Sequence, residues 1–242
     1  MHMVKAKRAL KISAALLLVL ALVCAVYVRD YYRAEPKALE GLSGSDQVTV
    51  TEEDGLLIFE PETVEAGFVF YPGGKVEFYA YAPLMMALAN ENILCLLPEM
   101  PANLAVLDPH AAQELPQRYP QVERWYIGGH SLGGSMAASH AEKDDRFAGL
   151  ILLASYSTAD LRNTRLKVLS IYGTEDGVLD PEKYSENFAN LPEDTTEILL
   201  YGGNHAGFGS YGPQEGDGTS SLPAGEQQRF TAQTIAEFLQ ED

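Results

Sequence analysis

The chain has 242 residues, 46% of them hydrophobic, enough for one globular domain and a short extra segment but not for two full domains. The formal net charge is −17, and the N-terminal stretch through residue 35 holds six of the 17 Lys/Arg but only two of the 34 acids, so the remainder carries about −21. So acidic a surface, without a basic stripe interleaved with aromatics, argues against nucleic acid as a partner. The two cysteines, Cys24 in an apolar run and Cys95 in an apolar strand-like segment, argue against a fold built on disulfides or zinc, and nothing in the sequence calls for a metal or an organic cofactor.

The basic residues Lys5, Lys7, Arg8 and Lys11 precede an uncharged run over residues 12–28 that is rich in Leu, Ala and Val. As a helix that run would reach about 25 Å, at the short end of what crosses a hydrocarbon core of ~30 Å. The expected organisation is a cytoplasmic basic segment at 1–11, a transmembrane signal anchor at 12–28, a linker at 29–46 and a globular domain at 47–242. The positive-inside rule then places the domain outside a single-pass cell membrane. A cleaved signal peptide ending near Val23 and Ala25 and a lipoprotein acylated at Cys24 are the alternatives.

Beyond the linker, β-branched and aromatic runs alternate with helix-like stretches. Residues 48–51 and 55–60 predict a hairpin, 66–71 a strand ending in Pro72-Gly73-Gly74, 80–90 a helix and 93–97 a strand. A helix is expected over 107–118, a strand over 122–127, a helix over 131–142, and strands at 147–153 and 166–172. A helix at 181–189, a strand at 196–201 and a closing helix at 226–239 complete the series. Such alternation predicts an α/β fold with a mostly parallel central sheet and helices on both faces. Only about a dozen residues separate the strands at 147–153 and 166–172, too few for an inserted lid domain. The longest irregular stretch, residues 202–224, is rich in glycine, and loops of that length in compact domains are usually functional or disordered.

One motif carries chemistry by its position. Gly129-His130-Ser131-Leu132-Gly133 lies after a predicted strand and at the head of a predicted helix, the context of a nucleophile elbow, where a tight turn demands small neighbours. A serine there needs a base, and the base needs a carboxylate to fix its tautomer. Of the five histidines, His2 precedes the apolar run, His110 precedes the elbow, His130 is inside it and His140 is on the following helix. His205 remains, just past a strand. For the acid, Asp176 follows the strand at 166–172; Glu175 is an alternative, whereas Asp180 before Pro181 reads as a helix N-cap. The oxyanion donors are expected to be the N–H of Leu132, directly after the serine, and that of Gly74 in the loop after residues 66–71, with Gly73 or Lys75 as alternatives. Met85, Met100, Asn103, Tyr156 and the 202–224 loop are expected around the pocket.

Taken together, Phe70-Tyr71-Pro72-Gly73-Gly74-Lys75-Val76, Pro98-Glu99-Met100-Pro101, Gly128–Gly134 and Gly203-Asn204-His205-Ala206 resemble a bacterial α/β-hydrolase family loosely related to dienelactone hydrolases, over roughly residues 48–240. The resemblance implies the α/β-hydrolase fold, a Ser131, Asp176, His205 triad and a membrane-tethered or exported setting. Dienelactone hydrolases proper use a cysteine nucleophile, so lactone specificity does not carry over to Ser131. The expected activity is hydrolysis of a small-molecule carboxylic ester or thioester. A peptidase or acyltransferase using the same residues, and a surface binding scaffold with a silent site, are the competing readings; oligomeric state is not legible.

Overall fold

A computed structural model describes residues 2–240, with side chains described except at positions 2–12 and 14. The chain divides into two compact units, 1–31 and 32–242. The first is a single helix, α1 (His2–Arg29). Large apolar side chains from Leu16 to Val26 stand more than half exposed along it. The expected anchor over 12–28 falls partly on side chains outside the described ones; among the described residues, no helix is long and apolar enough to cross a membrane.

The second unit is an eight-stranded sheet: β1 (Val48–Glu53), β2 (Leu56–Pro61), β3 (Ala66–Tyr71), β4 (Ile93–Pro98), β5 (Trp125–His130), β6 (Phe147–Leu153), β7 (Lys167–Gly173) and β8 (Thr196–Leu200), in the order β1-β2-β4-β3-β5-β6-β7-β8. β2 pairs antiparallel with both β1 and β4, and all other neighbours are parallel. β3 and β4 are buried at every position, because a central parallel strand has helices or loops over both faces and must be apolar on both. Side chains alternate between the faces. Phe68 and Phe70 join a cluster with Leu84, Met85 and Leu88 of α3 (Ala82–Ala89) and Ile235 of α6 (Ala224–Gln240). Val69 and Tyr71 join the opposite cluster, with Ala137 and Ala138 of α4 (Leu132–Ala141).

Two expectations are corrected. Residues 29–46 are not a free linker. Tyr32 pairs through its backbone with Lys75 and Glu77, Ala34 N–H donates to Glu77 Oε2 at 2.8 Å, and α2 (Pro36–Glu40) buries Ala38 completely. Exposed charges at Arg33, Glu35, Lys37 and Glu40 hide this docking in the sequence, since Ala38 is the one position of the stretch that is fully buried. Residues 107–118 do not form a helix either, but short 3₁₀ turns at Ala105–Leu107 and Pro116–Arg118. Pro109 and Pro116 deny the run two amide donors. Within it, the Tyr71 hydroxyl accepts from Ala112 N–H at 2.8 Å and donates to the Pro109 carbonyl at 3.2 Å, replacing helical bonds with tertiary ones.

Candidate active site

The chain runs from β3 to β4 on one side, then crosses back to β5 on the other side of β3. The loops leaving the carboxyl ends of β3 and β5 therefore diverge, which opens a crevice where open α/β sheets hold their ligands. Pro72-Gly73-Gly74 leaves β3 there and Ser131 leaves β5. Ser131 has φ 53° and ψ −124°, in the region that costs a non-glycine residue about 1–3 kcal/mol. The surroundings hold it: its N–H donates to the Leu153 carbonyl at 2.9 Å, and its carbonyl accepts from Ser155 Oγ at 2.7 Å. A Cβ at Gly129 would lie 2.5 Å from the Tyr71 carbonyl oxygen, so the turn admits glycine alone at that position.

The loop after β7 brings Asp176, and the loop after β8 brings His205. Asp176 Oδ2 accepts from His205 Nδ1 at 2.9 Å, with both side chains 2% exposed. Asp176 Oδ1 accepts from the Val178 and Leu179 N–H groups at 2.9 and 2.8 Å, which fixes the carboxylate in its turn. A carboxylate at Nδ1 makes that nitrogen the donor and leaves the lone pair on Nε2. His205 Nε2 is buried and has no hydrogen-bond partner among the described residues. Glu175, the alternative acid, instead accepts from its neighbour Thr174 Oγ1. Asp180 caps α5 (Pro181–Phe188), accepting from the N–H groups of Glu182 and Lys183 with proline at the first turn.

Ser131 and His205 line one cavity of about 420 Å³, together with Leu132, Ser155, Tyr156, Leu179 and Lys183. Gly74 adjoins it: a Cβ there would lie 3.0 Å from Leu132 Cδ2. Leu132 opens α4, so its N–H has no acceptor within the helix, and the Gly74 N–H has no acceptor among the described residues. Gly73 and Lys75 are corrected as donors. The Gly73 N–H is spent on Tyr81 Oη at 3.0 Å and the Lys75 N–H on the Asn103 carbonyl at 2.8 Å. Met85 and Met100, expected near the pocket, are core residues at 0% and 2% exposure; Tyr156 does line it.

Sequence reasoning passed over two neighbours. His130 is fully buried, with its ring centroid 4.4 Å from that of His205 and Nδ1 2.9 Å from Tyr81 Oη. Burial chiefly, and then proximity to His205, holds its pKa well below the usual imidazole value, so it places no cation beside His205. Tyr81 joins the Gly73 amide to the His130 ring, and so the β3 loop to the elbow. No local pattern reveals that link, because Tyr81 sits in a 3₁₀ turn (Phe78–Tyr81) between β3 and α3.

Comparison with known proteins agrees with this architecture. Residues 67–229, more than half of the chain, match the family described as "Alpha/beta hydrolase family". Among solved structures, a predicted CIB-like hydrolase from Thermoplasma acidophilum superposes with a TM-score of 0.56 at 16% identity, covering 79% of this chain and 98% of the other. An alpha/beta hydrolase enzyme from the metagenome of lagoon sediments at Mar Chica, Morocco, gives 0.59 at 16% identity over 79% and 98%. Carboxyl esterase 2 of the mycorrhizal fungus Tuber melanosporum gives 0.58 at 10% identity over 86% and 91%. No curated protein matches the sequence. At these identities the structures speak for the fold alone, while the family match covers strands, elbow and both loops: the chain belongs to the alpha/beta hydrolase family.

Proposed function

We propose that this hydrolase is a serine esterase or thioesterase acting through an acyl-Ser131 intermediate. The observation that carries the reading is His205, held through Nδ1 by Asp176, with Nε2 unpartnered among the described residues, lining one cavity with a strained Ser131. Ser131 Oγ attacks the substrate carbonyl carbon while His205 Nε2 takes its proton. The oxygen that gains charge receives the N–H groups of Leu132 and Gly74, aided by the positive end of α4. Collapse breaks the bond to the leaving alcohol or thiol, to which His205 returns the proton. Water then attacks the acyl carbon, His205 takes the water's proton, and the acid departs as Ser131 recovers its hydrogen.

The substrate we favour is a small, soluble ester. Supporting this are the cavity volume of about 420 Å³, its mixed lining with Tyr156 and Lys183, and the short β6–β7 connection that leaves no room for a lid. The setting we favour is a membrane surface, with α1 as the tether; the exposed apolar side chains of Leu16 to Val26 and the basic residues before them support it.

Fluorophosphonate labelling of the full chain beside Ser131→Ala and His205→Ala, with a panel of short and medium acyl esters, tests the activity. Labelling and turnover should fall by about 10⁴-fold or more in each variant, as expected when members of one catalytic unit are removed. A folded wild-type chain that neither labels nor turns over any ester would instead favour a binding scaffold.

A further inference from the structure

The long glycine-rich loop after β8 does more than deliver His205, because one of its side chains returns to the base of the site. Asp217 Oδ1 accepts from the Gly177 N–H at 3.1 Å, the His205 N–H at 3.2 Å and the Gly218 N–H at 2.8 Å. Its Oδ2 accepts from the Ala206 N–H at 2.8 Å. A single carboxylate thus grips the amide directly after Asp176 and the amide of His205 itself, tying the β7 loop to the β8 loop. The bonds within its own loop, to Gly218 and Ala206, are the short ones at 2.8 Å, while those to Gly177 and His205, at 3.1 and 3.2 Å, reach across to both sides of the Asp176–His205 pair.

We propose that Asp217 is a positioning residue that sets the Asp176–His205 hydrogen bond by clamping both loops, an inference that rests on the serine-hydrolase reading above. Asp217 does not touch the imidazole. It acts on the backbone on either side of that bond, and no other side chain among the described residues accepts from both loops. The rest of the His205 loop is braced independently: the buried Gln227 amide pairs with the Asn204 backbone at 3.1 and 2.8 Å, and Asn204 Nδ2 donates to the Gly218 carbonyl at 2.8 Å. The bases of the two loops are also joined, by the Glu175 N–H to the Gly203 carbonyl and the Gly202 N–H to Thr174 Oγ1, both at 2.9 Å, so loss of Asp217 should leave both loops in place and loosen only the register of Asp176 against His205.

The test compares Asp217→Ala, which removes both acceptors, and Asp217→Asn, which retains Oδ1 and sets an amide against the Ala206 N–H, in the full-length chain. Expected for Asp217→Ala is a fall in kcat of about 10- to 100-fold with KM within about twofold, the signature of misplaced catalytic groups rather than lost substrate contacts. Asp217→Asn should show a smaller fall of the same kind. The low-field proton resonance of His205 Nδ1–H, read in ¹⁵N-histidine-labelled protein without substrate, should broaden or shift upfield in both variants. Unchanged kcat and an unchanged Nδ1–H resonance in folded Asp217→Ala would overturn the proposal, as would a kcat loss that only tracks the unfolded fraction. If Asp217→Ala does not fold, Asp217→Asn decides by the same readouts. Because the resonance needs no turnover, the clamp is judged even if the wild type proves inactive on every ester, an outcome that would count against the esterase reading and not against the clamp.

Discussion

His130 and His140 are buried and carry pKa values below the usual imidazole range, for His130 through burial and the nearby His205, for His140 chiefly through burial. The sign of the consequence follows from linkage. In the unfolded chain these rings take up a proton near pH 6.5, whereas in the folded protein they resist it, so between the folded and unfolded values the unfolded state binds more protons. Stability from this source is complete above about pH 6.5 and declines as pH falls below it. The unfolding free energy from urea titrations should therefore drop between pH 7.5 and pH 5, and His130→Gln should show a shallower drop. Equal pH slopes in the two proteins would show that His130 does not contribute.

At the scale of elements, the elbow works because β5 and α4 press against β3 without side chains between them. A Cβ at Gly133 would fall on the carbonyl oxygens of Tyr71 and Pro72, and one at Gly134 would lie 2.7 Å from Ser155. Backbone oxygens cannot swing aside as a flexible side chain can. Gly133→Ala should cost about 3 kcal/mol in urea unfolding, at the upper end of overpacking, and should reduce labelling of Ser131. Gly225→Ala is the matched control, since nothing lies within 4 Å of a Cβ there in the first turn of α6; its stability should be unchanged or slightly raised. Similar losses in both variants would mean that the close packing at the elbow is not what demands glycine.

At the scale of the molecule, the division at residue 31 and the docking of residues 32–43 alter how the chain should be handled. Truncation beyond Tyr32 would remove backbone pairing to Lys75 and Glu77 and the Tyr32–Tyr211 ring contact, at a ring separation of 5.6 Å. The proposed tether predicts that the full chain sediments with membranes at high salt and is released by detergent, whereas a chain starting at residue 30 stays in the supernatant. Recovery of the full chain in the supernatant without detergent would remove the tether from the proposal. The separation also explains why the −17 net charge does not conflict with a membrane setting, because the basic residues cluster before the apolar run and the acids belong to the domain.

Sequence alone marked the sheet strands, the Gly-x-Ser-x-Gly turn at Ser131 and, after it, an acid at 175 or 176 followed by His205, because apolar β-branched and aromatic runs, glycine spacing and turn chemistry are local and leave their marks within a few residues of where they act. It also distinguished Asp180 as a cap, since proline at the next position is a local signal. Tertiary structure alone decided that Asp176 rather than Glu175 meets His205, that the Gly73 and Lys75 amides are already spent, and that residues 32–43 pack onto the domain. It alone brought Asp217, Tyr81 and Ser155 to the site. Each of these depends on which way a side chain or amide points once distant loops converge at the carboxyl edge of the sheet, and direction in space is not written in the spacing of residues along a chain.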